Sequence, residues 1–266
     1  MNIVVCIKQV PDPEMPSSRL SVDEATRKVG VPANAEMVIS PFDENAVEAA
    51  LQLKEAFGGR VVALSMGNES CRQALRRALA MGADEAVLLS DPAFLGGDSY
   101  SNAYTLAQAV RRIGSFDLVL CGREAADWDA GQVPIGIAEF LGLPALTPIG
   151  SIEVADGRLL LRRVTDDGYD VCELTPPAVL GISNESNTPR YPPLKGIIEA
   201  SKKPFTTWAA ADIGADTSKV GPAMAKTRLA ALSVPMMERE CEFVEGDSFE
   251  EIAEKLVQRL RAERAL

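Results

Sequence analysis

The sequence predicts an α/β protein in which helices cover both faces of a mostly parallel sheet. Two observations support this prediction. Apolar runs typical of strands buried on both faces alternate with amphipathic helical segments through the first half of the chain, and this order makes consecutive strands parallel. From Ser151 onward the pattern changes to hairpins and then to a proline-rich stretch. We therefore expect an antiparallel extension of the sheet, followed by a C-terminal arm and a helix.

The first strand is predicted at Ile3–Ile7 (IVVCI), a continuous apolar run. Asp43 belongs to the residue types that cap helices. We expect a helix from there to about Phe57, because apolar residues recur on one stripe. The glycines at 58 and 59 end this helix, and Val61–Met66 forms the second strand.

The next helix is predicted to begin at Ser70, because Ser70 and Gln73 have capping-box spacing. The remaining elements of this half are a strand at Ala86–Leu89, a helix over about Ser101–Ile113, a strand at Leu118–Cys121 and a helix over about Pro134–Leu141. Parallel sheets bind ligands where strands end and the following helices begin. The loops expected to form a site are Lys8–Met15, Ser65–Asn68 and Gly122–Gln132.

The second half is predicted to extend the sheet and then to leave it. Its strands are expected at Ser151–Val154, Leu159–Val164, Tyr169–Leu174 and Ala178–Ile182. A proline-rich stretch without strong periodicity follows, and Ser248 and Glu251 form a capping-box pattern for a terminal helix. We therefore divide the chain into an α/β domain over residues 1–185, an extended arm over 186–235 and a C-terminal segment with its helix over 236–266.

Composition excludes several classes of function. The formal charge is −11, from 27 basic and 38 acidic residues, which disfavours nucleic acid or an anionic membrane as a partner. The chain contains no histidine, so histidine acid–base chemistry, hydrolase triads and histidine metal sites are excluded. No apolar run reaches the roughly 18 residues of a membrane span, and the first residues lack signal-peptide features. We expect a cytoplasmic protein that does not insert into membranes.

The five cysteines are scattered, and no two have the spacing of a CxxC motif. This argues against a redox dithiol, a zinc site or an iron–sulfur site. Cys6 and Cys121 lie in apolar strand segments, where we expect them to act as small buried hydrophobes. The cysteines therefore offer neither a redox pair nor a metal site, we assign no catalytic residue, and any redox chemistry has to come from a bound cofactor.

The loop Gly122–Gln132 carries the clearest site candidates. Its backbone N–H groups and the Gln132 amide can face a phosphate or a ribose. Asp127 and Asp129 can contact ribose hydroxyls, hold Mg²⁺ or form a solvated acidic turn, and the residues alone leave these alternatives open. Gly67, between a strand and a helix, suits either a phosphate at a helix N-terminus or an ordinary tight turn.

A second candidate surface lies in the proline-rich stretch, at Arg190-Tyr191-Pro192-Pro193-Leu194. A leucine on a proline-stiffened loop can anchor in a partner's pocket at reduced entropic cost. Alternatively, Leu194 packs on its own domain. Lys195, Lys202 and Lys203 form a basic spot that either steers a partner or is simply solvated.

Five segments together resemble the β (small) subunits of electron transfer flavoproteins. They are MNIVVCIKQVPD at 1–12, SPFDENAVEAALQLKE at 40–55, SMG at 65–67 with ALAMGADEA at 78–86, CGREAADWDAGQV at 121–133, and PRYPPLKGIIEASKK at 189–203. The resemblance covers almost the whole chain. It implies a Rossmann-like fold that binds an adenine nucleotide, in a heterodimer with a larger α subunit that holds FAD. It also implies that the arm and the C-terminal helix pack on that partner.

Carried over residue by residue, the resemblance implies eight nucleotide contacts: Cys6, Lys8, Gly67, Asp127, Asp129, Gly131, Gln132 and Val133. It further implies that Leu194, with Arg190 and Tyr191 beside it, recognises an acyl-CoA dehydrogenase-like redox partner.

The family has two branches, which differ in this nucleotide. The conventional branch binds AMP in the β subunit, whereas the electron-bifurcating branch binds a second FAD there and uses NADH as donor. KQVPD after the first strand and Gln132-Val133 resemble the bifurcating branch, while Ser40, Glu124 and Ala130 depart from it. We expect FAD, with AMP as the alternative, and electron transfer between NADH or dehydrogenases and partner redox proteins. A stand-alone adenine-nucleotide sensor is a more distant alternative.

Overall fold

A computed structural model describes residues 1–234 and 241–266 of the chain. The strands are β1 (Asn2–Cys6), β2 (Gln9–Pro11), β3 (Ser21–Asp23), β4 (Lys28–Gly30), β5 (Met37–Ile39), β6 (Arg60–Met66), β7 (Glu85–Leu89), β8 (Leu118–Gly122), β9 (Ala145–Ala155), β10 (Arg158–Thr165), β11 (Gly168–Leu174), β12 (Ala178–Ile182) and β13 (Phe205–Trp208). The helices are α1 (Pro41–Phe57), α2 (Arg72–Met81), α3 (Ser99–Ile113), α4 (Val133–Leu141), α5 (Leu194–Ala200) and α6 (Phe249–Ala262). Within the described part of the chain, no helix has the length and apolarity to cross a bilayer.

Nine strands form one sheet, in the order β11-β10-β9-β12-β8-β1-β6-β7-β13. All neighbours from β9 through β12 to β13 run parallel. At the other end, β9, β10 and β11 pair antiparallel. The predicted fold, a mostly parallel sheet with an antiparallel extension, is confirmed. The pairs β2–β5 and β3–β4 form two small ladders outside this sheet.

Helices cover both faces of the central strands. In β1, Ile3 and Val5 belong to the core cluster that contains the buried residues of α1 and α2. Val4 and Cys6 belong to the cluster that contains those of α3 and α4. Because alternate side chains of a strand point to opposite faces, burial on both faces requires the continuous apolar run that the sequence shows.

The start of α1 differs from the prediction. The helix begins at Pro41, with Ser40 in the cap position, so Asp43 is not its cap. The carboxylate of Asp43 is buried instead and accepts the backbone N–H groups of Lys8 and Gly122. The helix thus begins two residues earlier, because Pro41 suits the first helical position.

The predicted capping box of Ser70 and Gln73 is wrong. Asn68 accepts the N–H of Ser70 and starts a short 3-10 turn, and α2 begins after it at Arg72. The Ser70 hydroxyl donates to Gln9 Oε1 at 2.8 Å. Asparagine caps helical turns as well as serine does, so Asn68, two residues earlier, occupies the cap position in place of Ser70.

Two other helix starts carry the expected kind of cap. Asp98 and Ser101 form a capping box, so α3 begins at Ser99, two residues before the predicted start. In α6, the Ser248 hydroxyl accepts the N–H of Glu251 at 3.2 Å, as predicted. The Glu251 carboxylate accepts the N–H of Asp247 rather than that of Ser248.

The segment predicted as an extended arm, residues 186–235, contains regular structure. It includes α5 and β13, and β13 pairs with β7 at the edge of the main sheet. Phe205 and Trp208 of β13 pack against the two core clusters, one on each face. This part of the segment therefore belongs to the α/β unit. The predicted boundary between residues 235 and 236 lies outside the described residues.

Candidate functional site

A cavity of about 160 Å³ opens where β1 and β8 end. Residues that follow these two strands line it, together with the end of β6, one face of α3 and the start of α4. Ligand sites of parallel sheets lie at this edge. All three loops expected to form the site contribute lining residues: the first through Lys8, the second through Met66, and the third through most of its length.

The lining combines apolar walls with a few polar groups. The apolar side chains include Met66, Leu106, Trp128, Val133 and Pro134. The polar side chains include Lys8, Asn102, Glu124 and Gln132. This composition is that of a ligand pocket. Pockets that hold a whole ligand enclose roughly 300–1,000 Å³, so this cavity is large enough for part of such a ligand.

The loop after β8 has a fixed, tight course. The N–H groups of Trp128 and Asp129 both donate to the carbonyl oxygen of Ala125. Asp129 and Gly131 adopt positive φ values of 46° and 61°. At the second of these positions glycine avoids the steric cost that a side chain brings. The loop therefore folds back on itself and brings Trp128 and Gln132 to the cavity.

Asp43 ties the two strand ends together beneath the cavity. Its carboxylate accepts the N–H of Lys8 at 2.8 Å and the N–H of Gly122 at 2.8 Å. Burial raises the pKa of Asp43 to about 7, against the lowering effect of these two hydrogen bonds. A Cβ added at Gly122 would lie 2.7 Å from Asp43 Oδ1, so the close approach of α1 requires glycine there.

Lys8 and Asp127 form an ion pair at the rim, with 2.7 Å between Lys8 Nζ and Asp127 Oδ1. The pair is partly exposed, and such pairs contribute about 0–1 kcal/mol to stability. Its effect at the rim is electrostatic, because the ammonium offsets the negative charge of the Asp127 carboxylate. Within residues 1–234 and 241–266, no three cysteine or acidic side chains are grouped as metal ligands.

Cys6 and Cys121 lie side by side at the floor of the cavity, on the neighbouring strands β1 and β8. Both are buried, as expected. The hydrogen bond with Cys6 and burial raise the pKa of the Cys121 thiol well above its usual range. A thiol with a raised pKa is a poor nucleophile, so Cys121 acts as part of the cavity wall, and Cys6 is buried beside it.

The structure brings together five of the eight residues expected to contact the nucleotide. Cys6, Lys8, Gly131, Gln132 and Val133 all line the cavity. The other three, Gly67, Asp127 and Asp129, are not among the lining residues. Asp127 lies next to the cavity through its ion pair with Lys8.

Gly67 has a packing reason of its own. A Cβ added there would lie 2.5 Å from the Sγ atom of Cys71. Its N–H donates to the carbonyl oxygen of Leu89 at 3.0 Å. The hydrogen bond and the lack of room for a side chain show that the β6–α2 turn is tight, which favours the tight-turn alternative for Gly67.

Asp43, Asn102 and Leu106 are among the lining residues that sequence reasoning did not select for the site. Asp43 has the residue type and position of a helix cap, and no local signal connects it with the loops of the site. Asn102 and Leu106 come from α3, and the loop that leads into this helix was not among those selected. The rule that selected the other loops applies equally to the end of β7.

The proline-rich surface is well defined. Tyr191 is 82% exposed and Leu194, the first residue of α5, is 74% exposed. Leu194 therefore does not pack on its own domain. Arg190 points the other way, onto α1, where it pairs with Glu48 and Glu55.

The predicted basic spot is not a uniform free surface. Lys203 donates to the carbonyl oxygens of Leu79 and Ala83 at the end of α2. Lys195 lies 3.8 Å from Glu199. Of the three lysines, Lys203 thus has a structural role that the sequence did not indicate.

Comparison with known proteins gives a consistent result. The electron transfer flavoprotein domain family matches residues 29–213. The electron transfer flavoprotein subunit beta of Thermoanaerobacterium thermosaccharolyticum is 39% identical over 270 residues, covering 100% of both chains. The caffeyl-CoA reductase-Etf complex subunit CarD of Acetobacterium woodii is 37% identical over 265 residues, covering 98% of each.

A relative from a different kind of bacterium agrees with these two. The electron transfer flavoprotein subunit beta of Mycobacterium tuberculosis is 37% identical over 263 residues, covering 96% of this chain and 97% of its own. The similarity extends over the strands, the cavity and the proline-rich surface alike. The chain therefore belongs to the electron transfer flavoprotein family, as one of its β subunits.

Proposed function

We propose that this chain forms a heterodimer with an electron transfer flavoprotein α subunit and binds an adenine nucleotide, with FAD favoured, in the cavity at the ends of β1 and β8. The complex passes electrons between NADH or dehydrogenases and partner redox proteins. The observation that carries the proposal is the cavity itself, which five of the eight expected contact residues line.

Different residues of the cavity would contact different parts of the nucleotide. Trp128, Leu106 and Met66 offer an apolar slot for a ring. Gln132 and Asn102 offer amide groups for hydroxyls or phosphate oxygens. Lys8 supplies a positive charge, while Asp43 holds the two loops in register. The enclosed volume fits part of a dinucleotide, so we infer that the rest extends toward the α subunit.

We assign no acid, base or redox thiol to the cavity among the described residues. The chain has no histidine, the Cys121 thiol is buried with a raised pKa, and Asp43 is engaged by backbone N–H groups. When bound, a flavin supplies the electron-transfer chemistry. The protein's part is to place the nucleotide and the partner subunit, and to exclude water from the slot.

The choice of FAD over AMP follows from particular residues. KQVPD after β1 and Gln132-Val133 at the cavity resemble the NADH-using, electron-bifurcating branch. Glu124 also lines the cavity and forms an ion pair with Arg123 at 2.7 Å, which offsets its negative charge near a phosphate. The AMP-binding conventional carrier remains the alternative, because Ser40, Glu124 and Ala130 depart from the bifurcating pattern.

Two surfaces are proposed to meet partners. Tyr191 and Leu194 face a redox partner with an acyl-CoA dehydrogenase-like pocket. One relative's name, that of a caffeyl-CoA reductase-Etf complex subunit, supports a partner of this enzyme class. Helix α6 has no buried side chain, and Phe249 at its start is 88% exposed. We propose that this helix packs on the α subunit, which would cover its apolar stripe.

The test uses one cavity variant and one matched control in the purified heterodimer. Gln132→Ala removes an amide that faces the cavity, and Gln108→Ala removes an amide on α3 that is not among the lining residues. Loss of a net hydrogen bond of about 1.4 kcal/mol should weaken nucleotide binding about tenfold for Gln132→Ala. Equal nucleotide affinity in both variants and the wild type would contradict this site.

A further inference from the structure

We propose that Arg190 is a positioning residue. It fastens residues 187–190, here called the strap, to helix α1, so that Tyr191 and Leu194 project toward a redox partner in a fixed arrangement. This inference rests on the proposed function of that surface. It assigns Arg190 a role through the protein's own helix, in place of the direct partner contact that the family resemblance implies.

The guanidinium of Arg190 donates four hydrogen bonds to two carboxylates of α1. Its Nε donates to Glu48 Oε2 at 2.7 Å, and its Nη2 donates to Glu48 Oε1 at 3.0 Å. It also donates to both oxygens of Glu55. The backbone N–H of Arg190 adds a third bond to Glu48, at 3.1 Å. A planar, bidentate arrangement of this kind is geometrically specific and is not reproduced by lysine.

Burial makes the Glu48 contact more than a surface ion pair. The Glu48 side chain is 5% exposed, against 31% for Arg190. Burial alone would raise the pKa of Glu48, but the hydrogen bonds from Arg190 and Gln52 outweigh it and hold the pKa below its usual value. Removing the arginine would leave a buried carboxylate without its partner, and such groups are strongly destabilising.

A second, independent contact joins the strap to the same helix. The side-chain amide of Asn45 donates to the carbonyl oxygen of Asn187 at 2.7 Å. In return, the side-chain amide of Asn187 donates to the carbonyl oxygen of Asn45 at 3.0 Å. Asn45 and Glu48 lie on one face of α1, three residues apart. The strap is therefore held at both of its ends.

The chain beyond the exposed residues is also anchored, on α2. Pro192 is buried, and the ammonium of Lys203 donates to two carbonyl oxygens at the end of α2. Gly196 approaches so closely that an added Cβ would lie 2.2 Å from the carbonyl oxygen of Ala80. Tyr191 and Leu194 are thus exposed residues on a short span with fixed ends.

A span fixed in this way lowers the cost of binding. A loop that must be ordered when the partner arrives loses conformational entropy at that step, and a loop already ordered does not. The charges also support a positioning role for Arg190. Glu48 and Glu55 neutralise its guanidinium, which leaves little positive charge there for a partner. The exposed side chains of Tyr191 and Leu194 are themselves largely apolar, which fits a partner with an apolar pocket.

Three variants of the purified, nucleotide-loaded α/β complex test the proposal. Arg190→Met and Arg190→Lys alter the guanidinium, and Glu48→Gln alters its buried acceptor, which lies beneath the strap and cannot reach a partner. Arg158→Met is the matched control, because Arg158 pairs with an exposed carboxylate on the β10–β11 hairpin. The measurements are amide hydrogen exchange of residues 186–193 and steady-state electron transfer with a purified acyl-CoA dehydrogenase.

Arg190→Met and Glu48→Gln should increase hydrogen exchange in the strap and raise the KM for the dehydrogenase. The expected size of both effects is about 5- to 30-fold, the change that one or two kcal/mol produces. Arg190→Lys should fall between Arg190→Met and the wild type. The saturating rate, the nucleotide content and the control variant should stay unchanged.

The proposal is overturned if exchange in the strap is unchanged in all three variants. It is equally overturned if Arg190→Met raises the KM while Glu48→Gln does not, since that pattern indicates direct contact with the partner. Failure of the proposed function looks different. In that case Leu194→Ala leaves the KM unchanged, while the exchange measurements still report whether the strap is held.

Discussion

Replacing Asp43 by asparagine should change the way in which stability depends on pH. Asp43 accepts two backbone N–H groups, one from each loop of the cavity. An asparagine in the same place has one oxygen and one NH₂ group. One of the two N–H groups would then face a donor and lose its partner. A buried group left unpaired costs about 1–3 kcal/mol. We therefore expect Asp43→Asn to have an unfolding free energy about 1–3 kcal/mol below that of the wild type near pH 4.

The pH dependence follows from the raised pKa of Asp43, which burial lifts from 3.8 to about 7. Between these values the folded chain holds a proton that the unfolded chain has released. The free energy of unfolding that Asp43 contributes is therefore fully present below pH 3.8 and is lost as the pH rises through about 7. At about 1.4 kcal/mol per pH unit, this range corresponds to about 4 kcal/mol.

Urea unfolding from pH 4 to pH 8 measures this directly. Relative to Asp43→Asn, the wild type should lose about 4 kcal/mol of unfolding free energy across the range, with the curves parallel above pH 8. Asp117→Asn is the control, since Asp117 also accepts a backbone N–H, from Asn2 at the opposite edge of the sheet. Parallel curves for the wild type and Asp43→Asn throughout would refute the assignment of a raised pKa to this carboxyl.

Three further outcomes are expected. Leu194→Ala should slow transfer to an acyl-CoA dehydrogenase several-fold without loss of bound nucleotide, and loss of nucleotide would count against its role as an anchor. Gly67→Ala should lower the free energy of unfolding by about 1–3 kcal/mol because its Cβ meets Cys71 Sγ, and adding Cys71→Ala should restore it; both are read from urea midpoints. Burial acts to raise the pKa of Asp98, but hydrogen bonds from Ser101, Lys226 and Thr227 hold it at about 2. The wild type should therefore lose stability relative to Asp98→Asn as the pH falls from about 4 towards 2 in acid titrations. If the two proteins lose stability equally, Asp98 does not anchor the segment at Lys226 and Thr227.

The elements that could be predicted are those with a local signature. Strands buried on both faces, such as β1 and β8, leave continuous apolar runs, and the rule about strand ends then locates the cavity. Contacts between distant residues leave no such signature. Asp43 looks like a helix cap because its partners, Lys8 and Gly122, lie 35 and 79 residues away.

The same limit explains what was missed in the proline-rich surface. Arg190 and Glu48 are 142 residues apart, and nothing near either residue indicates the other. The segment also appeared extended throughout, because four residues at the edge of a sheet are too few to show a clear alternation. Once the order of strands is known, β13 follows from its place beside β7.

The nucleotide content of the purified α/β heterodimer tests the central claim most directly. FAD and AMP are released by denaturation, separated and counted per heterodimer. A β subunit that binds FAD in the cavity predicts two FAD and no AMP, and Gln132→Ala should lower the count toward one FAD. One FAD with one AMP would identify the conventional carrier. One FAD with no second nucleotide would contradict the claim that the cavity between β1 and β8 is a nucleotide site.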